Sequence, residues 1–149
     1  LAPITGLGLD AGNVPGTIRL SAQIIPPPAG AGGGTQGGSS LRVITLEAAT
    51  ITEALTVLLG HIRREPFLMH LGFIVFGEEL ARTGLGAVIG GLHGKGAIRG
   101  SVPVLVAAGS AEEVLRARSG VGRAPGQDVV ELLSNMRRVP IGAVVTLYD

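Results

Sequence analysis

The run Phe73-Ile74-Val75-Phe76-Gly77-Glu78-Glu79-Leu80 decides how the rest of the chain is read. Four consecutive large apolar side chains cannot be divided between a dry face and a wet one. They predict a short strand covered on both sides, at the centre of a sheet. Gly77 ends it, and Glu78 and Glu79 then occupy the first turn of a helix, where carboxylates suit the positive end of the helix dipole. A buried strand passing straight into a helix means helices packed against a sheet.

Upstream, Thr50-Ile51-Thr52-Glu53 has the form of a capping box. The helix it opens carries Ile51, Leu55, Leu58, Leu59 and Ile62 on one face and ends before Pro66. Ahead of it, residues 41–48 read as a strand. The tract 29–40, rich in Gly, Thr, Gln and Ser, reads as a mobile loop with little apolar surface to bury. Thr17 to Ile24 alternates strictly, with Ile18, Leu20, Ala22 and Ile24 on one face and Thr17, Arg19, Ser21 and Gln23 on the other, as a half-buried strand does. Residues 4–9 form another strand, and Asp10-Ala11-Gly12-Asn13 supplies turn residues for an antiparallel hairpin. The strand at 41–48 then pairs back onto 17–24 to complete a three-stranded meander.

Downstream of Leu80, Leu85, Val88, Ile89 and Leu92 continue at helical spacing. Gly84, Gly86, Gly90 and Gly91 each weaken that helix by roughly 1 kcal/mol, so it is expected to be short or broken. Residues 102–107 form a further strand, with Pro103 at its start or on a sheet edge. Ser110-Ala111-Glu112-Glu113 looks like a second capping box. The glycines from 120 to 126 interrupt the chain, an amphipathic helix is expected through Val129, Leu132, Leu133 and Met136, and residues 144–148 look extended. The expected fold is therefore α+β: a mixed, largely antiparallel sheet with helices packed against it, in one domain over 1–149.

Composition narrows the chemistry. The net charge is +1, with the twelve Lys and Arg scattered along the chain, and there is no Trp and one Tyr. Nucleic acid, which needs a basic track or aromatic platforms, is not an expected partner. The absence of cysteine removes disulfides, thiolate nucleophiles and thiolate metal sites. His61, His70 and His93 lack the i+3 or i+4 companion that a helix-borne metal site needs, so no metal or other cofactor is expected. Gly6-Leu7-Gly8-Leu9-Asp10-Ala11-Gly12 is one residue too long for a dinucleotide fingerprint, and no helix follows it. Gly94-Lys95-Gly96 lacks the hydroxyl residue of a phosphate loop. Glu78 and Glu79, adjacent on a helix, point roughly 100° apart and do not converge as an acid and base must. Gly-x-Ser-x-Gly is absent. The residues support no catalytic constellation.

Several of these stretches together resemble the Ger(x)C family of spore germination lipoproteins. Leu46-Glu47-Ala48-Ala49-Thr50-Ile51-Thr52-Glu53-Ala54-Leu55 is similar to the family segment leading into its first long helix. Phe73-Ile74-Val75-Phe76-Gly77-Glu78-Glu79-Leu80-Ala81-Arg82, preceded by Arg63-Arg64 and His70, is similar to its strand and Gly-Glu-Glu-Leu-Ala turn. Leu7-Gly8-Leu9-Asp10, residues 17–26, and Val104-Leu105-Val106-Ala107 before Ala111-Glu112-Glu113-Val114-Leu115 extend the likeness over nearly the whole chain. It departs at the long glycine tract and at the glycines between Gly84 and Gly100.

The resemblance implies a non-catalytic C subunit of a nutrient germinant receptor, lipid-anchored at the spore inner membrane on its extracytoplasmic side. Such a subunit works beside membrane-embedded A and B subunits in assembly and the triggering of germination. The lipid-modified cysteine is expected just upstream of Leu1, with a further domain following the last residues. Two other readings stay open from the residues alone: a small α/β nucleotide-binding domain or enzyme, and a nutrient-binding domain. Arg63 and Arg64, charged and expected to be exposed, are the candidate protein-interface residues.

Overall fold

A computed structural model of the chain describes residues 4–24, 42–61, 68, 71–94, 98–116 and 145–146. The chain runs β1 (Ile4–Ala11), β2 (Ile18–Ile24), β3 (Arg42–Ala48), α1 (Ile51–His61), β4 (Phe73–Phe76), α2 (Glu78–Thr83), α3 (Gly86–Gly94), β5 (Pro103–Val106), α4 (Ala111–Arg116) and β6 (Val145–Thr146). The strands form one sheet in the order β3-β2-β1-β4-β5-β6. β1, β2 and β3 make the expected antiparallel meander, with Leu9 opposite Leu20 and Leu20 opposite Leu46. β4 lies parallel to both β1 and β5, and β6 closes against β5 in the antiparallel sense. The mixed α+β architecture is the one expected.

β4 is, with β1, one of the two innermost strands, and all four of its residues are buried. Its alternation serves two cores. Ile74 and Phe76 join Leu7, Leu9, Leu20, Leu55, Leu58 and Leu92 beneath α1 and α3. Phe73 and Val75 face the other way, onto Ala107, Ala111 and Leu115 beside α4. A strand covered on both faces has no wet positions, which is why its sequence is continuously apolar.

The start of α1 satisfies its first amides much as the capping box predicts. Thr50 Oγ1 accepts the Glu53 N–H at 3.1 Å, while the Glu53 carboxylate accepts the N–H of Ala49, one residue before the expected Thr50. The helix expected after Glu78 is indeed broken. α2 ends at Gly84, whose φ of 102° is open to glycine at little cost, and α3 begins two residues later. Pro103 is the first residue of β5, where its missing N–H is tolerated.

Two expectations are corrected. β2 is not half-buried with a wet polar face, since Ser21 and Gln23 are 0% and 1% exposed because α4 lies over them. Their polar atoms are satisfied internally: Gln23 Nε2 donates to the Leu115 carbonyl at 3.0 Å, Thr5 Oγ1 donates to Gln23 Oε1, and Ser21 pairs with Thr45. Asp10 is not a turn residue. It lies within β1 opposite Arg19, and the connection to β2 begins at Gly12, whose N–H donates to the Thr17 carbonyl at 2.8 Å. The loop expected at 29–40, the glycine break at 120–126 and the helix through 129–136 fall outside the described residues.

Val75 is fully buried between strand neighbours and α4. Val75→Asp places a carboxylate there without a partner, a change that costs about 3 kcal/mol or more. Circular dichroism melting is expected to show an unfolded chain or a large drop in midpoint; an unchanged midpoint contradicts the central placement of β4.

Candidate functional site

The parallel strands β1, β4 and β5 all end on the same side of the sheet, at Asp10–Ala11, Gly77 and Ala107–Ser110. In sheets with parallel strands that edge is the usual place for ligand sites. An open cleft of about 390 Å³ lies there, lined by Asp10, Arg19, Glu78, Glu79, Arg82, Gly109, Ser110 and Glu112 among others.

Asp10 is the innermost of these side chains, 9% exposed. Its Oδ1 accepts the Ala111 N–H at 2.7 Å, and its Oδ2 accepts the Glu112 N–H at 3.0 Å and the Ser110 hydroxyl at 3.3 Å. A carboxylate at a helix start satisfies amides that have no partner within the helix, and these charge-assisted bonds are stronger than neutral ones. The second capping box is thereby corrected. Ser110 does not cap α4 with a Glu113 partner; instead a residue one hundred positions upstream does.

Gly77, the residue before α2, stands directly against the Asp10 carboxylate, so that a Cβ at position 77 would collide with Asp10 Oδ1. Its backbone ties the same corner: Gly77 N–H donates to the Leu9 carbonyl at 2.8 Å, and Glu78 N–H donates to the Gly109 carbonyl at 2.9 Å. Leu7-Gly8-Leu9-Asp10, Gly77-Glu78-Glu79-Leu80 and Ala111-Glu112-Glu113, separate in sequence, therefore meet at one corner.

Around Asp10 the charges are paired within the chain. Glu112 binds Arg19 and Arg116, each at 2.9 Å, and accepts the Thr45 hydroxyl at 3.2 Å. Glu78 binds Arg82 at 2.7 Å. Glu79 stands exposed at the rim. Burial opposes ionisation of Glu112, but the hydrogen bond from Arg116, the charge of Arg19 and the Thr45 hydroxyl together hold its carboxyl below the usual glutamate range. On the meander, Glu47 is also held low, chiefly by the Thr17 hydroxyl and then by the Val14 N–H, which fasten the β1–β2 connection to β3.

The glycines that suggested a dinucleotide loop have a packing role. A Cβ at Gly6 would lie 2.6 Å from the Phe73 ring, and one at Gly8 would lie 3.0 Å from Leu115. Their open side is filled by a core ring and by α4, leaving no cradle for a phosphate. Among the described residues no three His, Cys, Asp or Glu side chains are gathered where a metal ion could be held. Glu78 and Glu79 do not converge, since Glu78 turns to Arg82 along the helix. His93 lies in the last turn of α3, exposed and away from the cleft, while Arg63, Arg64, His70 and Lys95 are outside the described residues. Sequence reasoning missed Asp10 as the centre of the corner. The one available signal was an acidic residue at the end of a strand with no basic neighbour in sequence, and that is too weak to act on.

The model of the family described as "Spore germination protein N-terminal domain" matches residues 1–149. Comparison with curated proteins and with solved structures finds no match. No helix among the described residues is long and apolar enough to cross a membrane.

Two predictions concern this corner. Because the folded pKa values of Glu47 and Glu112 lie below their unfolded ones, their contribution to stability is present above the ordinary glutamate value of about 4.3 and is lost as pH falls through the folded values. Melting midpoints measured from pH 7 to pH 3 are expected to fall below about pH 4.5, with a shallower fall in Glu112→Gln. Second, Gly77 has φ −66° and ψ 150°, a conformation alanine adopts freely, so the cost of Gly77→Ala comes from the added methyl meeting Asp10. A loss of about 1–3 kcal/mol in denaturant titration is expected, shrinking in an Asp10→Ala background.

Proposed function

We propose that this chain, which belongs to the spore germination protein N-terminal domain family, works as part of the non-catalytic C subunit of a nutrient germinant receptor, in receptor assembly and the triggering of germination. The observation that carries this reading is the family match over the whole chain. The charged corner supports it. Asp10 is held by two backbone amides and the Ser110 hydroxyl, and Glu112 with Arg19 and Glu78 with Arg82 are paired, so that Glu79 alone presents an unpaired carboxylate at the rim and no converging acid and base are gathered in the cleft among the described residues. Catalysis requires groups converging on one substrate atom. A surface of paired charges is suited instead to steering and orienting a protein partner.

In this proposal the partners are the membrane-embedded A and B subunits. The whole subunit is held at the spore inner membrane by a lipid anchor upstream of Leu1, and Arg63 and Arg64 contribute to the protein-facing surface. The test has two arms. Charge reversal at the rim, Glu79→Lys or Arg82→Glu, and at Arg63 or Arg64, is expected to lower the recovery of A and B subunits with the C subunit from solubilised spore membranes, with the melting midpoint of the domain nearly unchanged. Calorimetry of the purified domain with amino acids and sugars is expected to detect nothing tighter than about millimolar. Saturable micromolar nutrient binding would overturn the assembly reading.

A further inference from the structure

We propose that α4 is a releasable element latched to the sheet by the Asp10 carboxylate, so that the part of the charged corner built on Glu112 and Arg19 exists only while α4 is docked. The described part of α4 is six residues long, and a helix segment of that length depends in water on what it packs against. Much of its described anchorage is polar. Asp10 holds the Ala111 and Glu112 amides and the Ser110 hydroxyl, Arg19 and Thr45 hold the Glu112 carboxylate, and Gln23 donates to the Leu115 carbonyl. The described surface beneath it includes Ser21, Gln23, Thr45 and the bare backbone of Gly6 and Gly8, and its apolar part is a small cluster in which Ala111, Val114 and Leu115 meet Phe73, Val75 and Ala107, with Val43 and Leu105 at the margin. The opposite face of the sheet meets α1 and α3 through leucine, isoleucine and phenylalanine side chains.

Hydrogen bonds traded for water contribute little net free energy, whereas buried apolar contact sets local stability. Undocking α4 therefore exchanges its polar contacts for water and exposes only the smaller apolar cluster around Phe73, Val75 and Leu115, while the larger core stays closed. In the undocked state Arg19 and Glu112 part, and Gly109 no longer receives the Glu78 N–H. A partner that reads the Arg19–Glu112 pair binds the docked state and draws α4 onto the sheet. The inference rests on the geometry of this face and holds whatever the domain binds.

Native-state hydrogen exchange at residue resolution on the 149-residue chain tests it. In the wild type, the amides of Ala111, Glu112, Leu115 and Arg116 are expected to exchange faster, through an opening less sensitive to denaturant, than those of Leu9, Leu20, Ala22 and Ile74. Asp10→Asn removes the charge and one acceptor oxygen, and is expected to speed exchange in α4 roughly tenfold to a hundredfold while the sheet amides keep their rates. Arg19→Ala, which leaves the Asp10 contacts in place, is expected to act in the same direction on α4 alone. Exchange of α4 only through global unfolding overturns the proposal, as does a variant that shifts α4 and sheet amides by the same factor. An Asp10→Asn chain that fails to fold also overturns it, because a latch on a releasable element is not required for the sheet to form.

Discussion

A single carboxylate fastens the corner where three strands and two helices of this domain meet. Asp10 sits at the end of β1, nearly buried, and a buried carboxylate is tolerated only when its oxygens are filled with donors. The donors come from the first amides of α4 and from Ser110, which places the start of that helix over β1. The same carboxylate leaves no room for a side chain where β4 passes into α2, so that the turn there is glycine. The helix start and the glycine are two consequences of one buried charge.

The sheet that carries this corner is asymmetric. One face is a conventional apolar core beneath α1 and α3, and the other combines a small apolar cluster with buried serine and glutamine beneath α4. Glycine at positions 6 and 8 brings the backbone of β1 close to Leu115 and Ala111. Hydrogen bonds and ion pairs then supply the orientation that a larger apolar contact would otherwise impose, each with strict geometric demands.

For function, the consequence lies in how the charges are used. Arg19 and Arg82 each already hold a carboxylate of the same chain, and Glu112 holds two arginines. Charges already paired within the chain are poorly suited to grasp a small ligand from both ends, whereas a protein surface can meet them as they stand at the rim. That agrees with membership of a spore germination family and with the proposed work as an assembly subunit.

The amino-acid sequence by itself determined the order and kind of the elements among the described residues. The alternation of Ile18 to Ile24, the unbroken run of Phe73 to Phe76, the box at Thr50 to Glu53 and the interruption at Gly84 are local patterns, and each element arose where its pattern lay. The family was legible for the same reason, because its motifs are short contiguous strings. What the tertiary structure alone decided is how those strings meet. Asp10 read as a turn residue, Ser110 as a cap and Gln23 as a solvent-facing side chain, since each assignment follows local habit. The fold then brought Asp10 to the start of α4 and α4 over Gln23. The partners lie about a hundred positions apart, and a side chain's preference for its nearest backbone yields whenever a distant group, held rigidly by the fold, offers a buried charge better donors.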